Sequence, residues 1–129
     1  MKRVSKLLIA FSVAVALVGC ARTAPVDNVH STVSAGHSEA QVRNAILKAG
    51  AQRQWIMNDV GPGVIKARQQ NRNHSAEVRI TYSATAYSID YDSSQNLLAS
   101  QGKIHKNYNR WVRNLDKDIQ VSLATNALQ

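Results

Sequence analysis

The sequence predicts an α+β fold: a two-layer sandwich in which a four-stranded antiparallel meander carries two helices on one face, in the order α-β-β-β-β-α. Three observations predict it. Apolar residues recur at helical spacing near both ends of the body, and they alternate with polar ones between residues 53 and 91. The links between the alternating runs are too short for parallel crossovers. At 129 residues and 44% hydrophobic, the chain has enough material for one domain with a core.

The start of the chain reads as an address. Lys2, Arg3 and Lys6 precede an apolar run from Leu7 to Val18, broken only by Ser12. Spanning a bilayer takes roughly 20 apolar residues, so this run is too short to span and instead fits a secretory signal at 1–19. Leu17-Val18-Gly19-Cys20 resembles the lipobox of bacterial lipoproteins. That resemblance implies cleavage before Cys20, acylation of its thiol and a membrane partner held through that lipid. Ala21, in place of Asp, implies export to the outer membrane, periplasmic face, rather than retention at the inner membrane. Cleavage leaves 13 basic against 8 acidic residues, so the formal +8 falls to +5 and no nucleic-acid partner is expected.

Residues 20–37 read as the lipidated cysteine and a flexible tether, being small, polar and aperiodic. The domain is expected over 38–124. Ser38 and Gln41 form a capping-box pattern, and Val42, Ala45, Ile46 and Ala49 follow on one helical face. Gly50 is expected to stop this helix through a positive φ. A first strand is expected around Trp55, a turn at Gly61-Pro62-Gly63, a second strand at 64–69 and a loop at 70–75. Val78, Ile80 and Tyr82 alternate on even numbers, Tyr87, Ile89 and Tyr91 on odd ones. That change of parity predicts a tight turn at Ser83 to Thr85, with one long bulged strand as the alternative.

Asp92 to Lys103 reads as irregular. A last helix is expected from about His105 to Ala124, with 125–129 as a frayed tail. Tyr108, Trp111, Val112, Leu115, Ile119 and Leu123 share its apolar face, while Lys106, Arg110, Arg113 and Lys117 share the opposite one. The open sheet face should carry Lys66, Arg68, Glu77, Arg79, Thr81, Ser88 and Asp90. The first and fourth strands would be edges, open to an extended partner segment.

At Tyr91-Asp92-Ser93-Ser94-Gln95-Asn96-Leu97 and Lys103-Ile104-His105-Lys106-Asn107-Tyr108-Asn109-Arg110-Trp111, the chain resembles a family of small uncharacterised bacterial envelope lipoproteins. Its mark is an Ile-His-x-x-Tyr-x-x-Trp helix start. The resemblance implies envelope localisation and transfers no catalytic residue. In its layers alone the chain also resembles small α+β lipoproteins that serve outer-membrane assembly machines.

The segment from Asp92 to Asn109 is dense in hydrogen-bonding side chains: Asp92, Ser94, Asn96, His105, Asn107 and Asn109. It is the expected place for a binding groove, or for ties between the last strand and the last helix. Asp92, Ser94 and His105 could meet as a hydrolytic set, but turn formation and helix capping account for the same residues. No catalytic residue is therefore assigned. His30, His37, His74 and His105 lack metal-ligand spacing, so neither metal nor cofactor is expected. The stripe Lys106, Arg110, Arg113 and Lys117 is either an anion-binding face or a solvated one moderated by Asp116 and Asp118. The functional expectation is a non-enzymatic binding or assembly module that meets an envelope protein. Direct binding of peptidoglycan or lipopolysaccharide is the alternative, and a small hydrolase a minor one.

Overall fold

In the computed structural model, which describes residues 21–127, the chain runs β1 (Thr23–Pro25), β2 (Val29–Thr32), α1 (Glu39–Gln52), β3 (Ile56–Gly61), β4 (Val64–Asn71), β5 (His74–Tyr82), β6 (Ala86–Gln95), β7 (Lys103–His105) and α2 (Lys106–Ala127). The described residues form an α+β fold with two helices. The expected signal peptide, 1–19, and Cys20 lie outside the described residues. One antiparallel sheet has the order β2-β6-β5-β4-β3, and β1 pairs with β7 in a separate two-stranded ribbon. The expected meander is present as β3 to β6, but β2 adds a fifth strand beside β6. The edges are therefore β3 and β2, and β6 is not an edge.

The expectation of a tether over 20–37 is corrected here. β2 pairs with β6 from Val29↔Ile89 to Thr32↔Ala86. Its period of two, Val29, Ser31, Val33, is hidden in the sequence because the middle residue is a serine. Ser31 reaches the Asp116 carboxylate on α2 (3.3 Å), and Val33 is buried.

Alternation places the core. Ile65 and Ala67 on β4, Ala76, Val78 and Ile80 on β5 and Ile89 on β6 are at most 1% exposed. They meet Val42, Ala45, Ile46 and Ala49 of α1 and Tyr108, Val112, Leu115 and Ile119 of α2 in one cluster. Both helices thus cover one face of the sheet. The parity change is resolved by a turn, as expected: the Ser83 and Ala86 backbones pair, and the Ser83 hydroxyl accepts from the Thr85 and Ala86 amides. The pair Tyr82↔Tyr87 then sits on the inner face.

Other boundaries moved. β4 and β5 run up to Asn71↔His74, so the expected loop at 70–75 shrinks to the turn Arg72-Asn73, with Arg72 at φ 57. β6 continues to Gln95 through a bulge, where Glu77 pairs with Ser93 but Val78 with Tyr91, leaving Asp92 unpaired. The irregular segment is thus only 96–102. His105 ends β7 rather than starting α2, and α2 runs on to Ala127 instead of fraying after Ala124.

α1 begins with the expected capping box: Ser38 Oγ accepts from the Gln41 amide (3.1 Å), and Gln41 Oε1 accepts from the Ser38 amide (2.8 Å). Gly50 does not end it. The helix continues to Gln52 and closes with a Schellman motif. The Gln54 amide donates to Ala51 O (3.1 Å) and the Trp55 amide to Gly50 O (2.9 Å), with Gln54 at φ 64. Gly50 instead lies against the Met57 side chain, whose flexible thioether end would have to shift to admit a Cβ. Gln54 holds a left-handed conformation that costs a side-chain-bearing residue about 1 kcal/mol. Gln54→Gly is therefore expected to raise stability by about 0.5–1 kcal/mol, read as a higher urea midpoint with an unchanged slope.

Candidate functional site

The residues singled out between Asp92 and Asn109 do not form one groove. Asp92, at the bulge, pairs with Lys66 (3.4 Å) on the open sheet face. Ser94 sits on the other face, its hydroxyl 2.8 Å from that of Tyr91. Asn96 is clamped to the β4–β5 turn: its Nδ2 donates to Asn73 O (2.6 Å), and its carbonyl accepts from His74 Nδ1 (2.7 Å). His105 caps α2, with Nδ1 accepting from the Asn107 amide (3.1 Å). Asn109, 4% exposed, donates from Nδ2 to Pro25 O (2.9 Å) and accepts at Oδ1 from the Asp27 amide (3.0 Å). These side chains mostly tie elements together, the second of the two readings the sequence allowed. Beside the bulge lies a shallow depression of about 330 Å³ lined by Arg68, Glu77, Ser93 and Ser94.

The stripe on α2 divides. Arg113 donates to the Asn109 carbonyl (3.2 Å) and lies 3.7 Å from the Asp27 carboxylate. Lys106, Arg110 and Lys117 are exposed, with no carboxylate within 4.0 Å among the described residues. The expected moderators act elsewhere. Asp118 pairs with Arg53 (2.6 Å), and Asp116 accepts from Tyr87 Oη (2.5 Å), Ser31 and Gln120.

His37, expected in the tether, bridges two backbone carbonyls: Ser34 O (2.9 Å) from Nδ1 and Leu123 O (3.0 Å) from Nε2. Two acceptors call for two ring protons, so these bonds raise its pKa, the Ser34 bond most. Leu123 lies near the negative end of α2, which also favours the imidazolium. A raised folded pKa gives stability that is complete below about pH 6.5 and lost as pH rises through the folded value. The melting temperature should therefore fall as pH rises from 6 towards 8, and His37→Gln should flatten that dependence.

β3 is an edge strand, as expected, but two exposed apolar residues on it were not anticipated. Ile56 is 60% and Val60 49% exposed. Ile56 stands opposite Arg68, and Asn58 opposite Lys66, on the open sheet face. Met57 and Asp59 point the other way: Met57 packs on the core, and Asp59 takes two bonds from Arg43 of α1 (2.6 and 2.8 Å). Arg43 holds the Asp59 carboxyl below its ordinary range. The alternation of Ile56 and Asn58 with Met57 and Asp59 was the available signal, hidden by the stronger pull of Trp55 toward a core assignment.

Among the described residues, no three or more His, Cys, Asp or Glu side chains gather as a metal site would require, and no helix is long and apolar enough to cross a membrane. No protein-family model matches the chain, and no curated protein matches it significantly.

Proposed function

We propose that the chain is a lipid-anchored, non-catalytic binding module of the cell envelope. It would be held at the outer membrane through Cys20 and would take an extended segment of a partner protein along β3. The observation that carries the reading is this edge. Among the described residues β3 has a sheet neighbour on one side only; Ile56, opposite the exposed Arg68, and Val60, at the bulge, both project into solvent. An added strand would satisfy the unpaired backbone groups, while Arg68 and Arg79 favour acidic side chains on it. The bulge between Asp59 and Gly61 sets the length on offer, Ile56 to Asp59.

The lipobox pattern supports the anchor, and the Ile-His-x-x-Tyr-x-x-Trp resemblance supports the envelope. A second reading, direct binding of an anionic polymer such as peptidoglycan or lipopolysaccharide, is favoured by the exposed Lys106, Arg110 and Lys117. Photo-reactive residues placed in cells at Val60, Arg79 or Arg110 separate the two. One protein trapped from Val60, and lost on Ile56→Glu, is the expected result. Glycan or glycolipid trapped from Arg110, with nothing from Val60, would replace the first reading by the second.

A further inference from the structure

We infer that the end of the domain formed by Arg22, Lys103, Lys106 and Arg110 is a phospholipid-facing surface, seated on the headgroups of the bilayer that holds the acylated Cys20. This rests on the lipid-anchor reading and adds an orientation to it. The first observation is where the chain enters the fold. Cys20 lies two residues before Arg22, at most about 7 Å of extended backbone. The Arg22 carbonyl accepts from the Lys106 amide (3.1 Å), and Thr23 is already paired with His105. The Val26 amide donates to Gly102 O (2.9 Å), and Asn109 fixes Pro25 and Asp27. No slack remains between the anchor and the start of α2, so the lipid fixes which end of the domain meets the membrane.

Charge supplies the second observation. Residues 21–26 and 93–115 contain no Asp or Glu. Arg22, Lys103, Lys106 and Arg110 are all exposed, and none has a carboxylate within 4.0 Å among the described residues. Arg43, Arg53 and Lys66, elsewhere on the domain, each have one. The first turn of α2 carries no acid, so Lys106 adds to the positive end of the helix dipole instead of offsetting it. Such a cluster is electrostatically unfavourable in isolation and favourable against phosphate headgroups. It lies where the anchor would press it.

The test uses the acylated full-length product. Its one cysteine carries the lipid, so Asn107→Cys or Thr125→Cys introduces a single free thiol for a fluorescent donor. The two positions are about 27 Å apart along α2. The protein is placed in vesicles of phosphatidylglycerol and phosphatidylethanolamine that contain a headgroup-labelled acceptor lipid. Transfer should be stronger from position 107 than from 125, and the difference should shrink at high salt. Lys103→Glu, Lys106→Glu and Arg110→Glu together should lower the seated population roughly a hundredfold, at about fivefold per basic residue near an anionic surface. Equal transfer from both positions, or no response to the triple reversal, in a protein whose mass shows the acyl chains overturns the orientation alone. A product with no acyl mass on Cys20 overturns the anchor reading and this inference with it.

Discussion

Asn109→Ala should destabilise the domain by about 2–4 kcal/mol, and the loss should appear first as opening of the chain's first strand. The Asn109 side chain is almost fully buried, and both ends of its amide are used by backbone groups more than eighty residues earlier in the chain. Alanine removes two hydrogen bonds, each worth about 1 kcal/mol net, and leaves the Pro25 carbonyl and Asp27 amide without partners in a partly buried place. β1 is three residues long and, among the described residues, pairs only with β7, itself three residues long. It has little else to hold it. Hydrogen exchange at the amides of 24–27 should therefore rise further than exchange in the central strands β4 and β5. Asn107→Ala, two residues away and with no side-chain hydrogen bond among the described residues, should change stability by less than about 0.5 kcal/mol. Because Asn109 lies beside β1, where the proposed anchor enters, protein capture from Val60 should survive its loss. If capture from Val60 disappears while the fold is retained, the β1 end and the β3 edge are coupled.

The fate of Asn109 shows how much of the site could be read from the chain alone. Residue type says that a buried Asn, His or Ser will find hydrogen-bonding partners, but not which ones. Asn109, Asn96 and His105 all looked like material for a groove, and each proved to be spent on fixing backbone. Their partners include groups 82 and 84 residues distant in sequence, beyond any local pattern. The fold was far more legible where one period dominated. The capping box of α1, the opposite parities of β5 and β6 and the apolar face of α2 each have a local cause. β2 was missed because its inward middle position is Ser31, whose buried role depends on Asp116 of a helix that comes much later. Gly50 misled for a related reason: glycine marks both turns and close contacts, and here it sits inside the helix against the Met57 side chain. The true stop, at Gln54, carries no glycine at all.

The correction to the N-terminal segment changes the functional picture more than any boundary shift. A long tether would have let the domain sample any orientation above a membrane. Pairing of β1 with β7 beside the start of α2 would remove that freedom in a chain anchored at Cys20 and would send the basic end one way. The β3 edge lies at the far side of the sheet order from β2, so the proposed partner edge and the proposed membrane-facing end are different surfaces. Mutations at Ile56 and at Lys106 should therefore act independently, as distant, unconnected sites do.

Two tyrosines with buried rings should respond to loss of the hydroxyl with opposite signs. Tyr87 is 3% exposed, and its hydroxyl donates to the Asp116 carboxylate at 2.5 Å. A hydrogen bond to a charged acceptor contributes about 1.5–3 kcal/mol, so Tyr87→Phe should destabilise by roughly that amount. It also removes one of the donors that compensate the half-buried Asp116, which ties β2 and β6 to α2 through Ser31 and Tyr87. Tyr108 is fully buried, its ring edge-on to that of Tyr91 with centroids 5.5 Å apart, and its hydroxyl has no partner among the described residues. Phenylalanine keeps the ring and removes the stranded group, so Tyr108→Phe should stabilise by about 1 kcal/mol. Alkaline titration gives a second reading of the same contrast. Burial, then the Asp116 bond, pushes the Tyr87 phenol up to about 12, and burial pushes the Tyr108 phenol upward as well. An unfolded tyrosine ionises near pH 10, so above that the folded state holds more protons than the unfolded one. The stability that depends on these neutral phenols is complete below about pH 10 and is lost as the pH climbs toward 12. Tyr87→Phe and Tyr108→Phe should each flatten that alkaline loss, and only Tyr87→Phe should lower the melting temperature at neutral pH. If both variants lowered it at neutral pH, the Tyr108 hydroxyl would have a partner in solution, and a tightly held water beside it would be the first to seek.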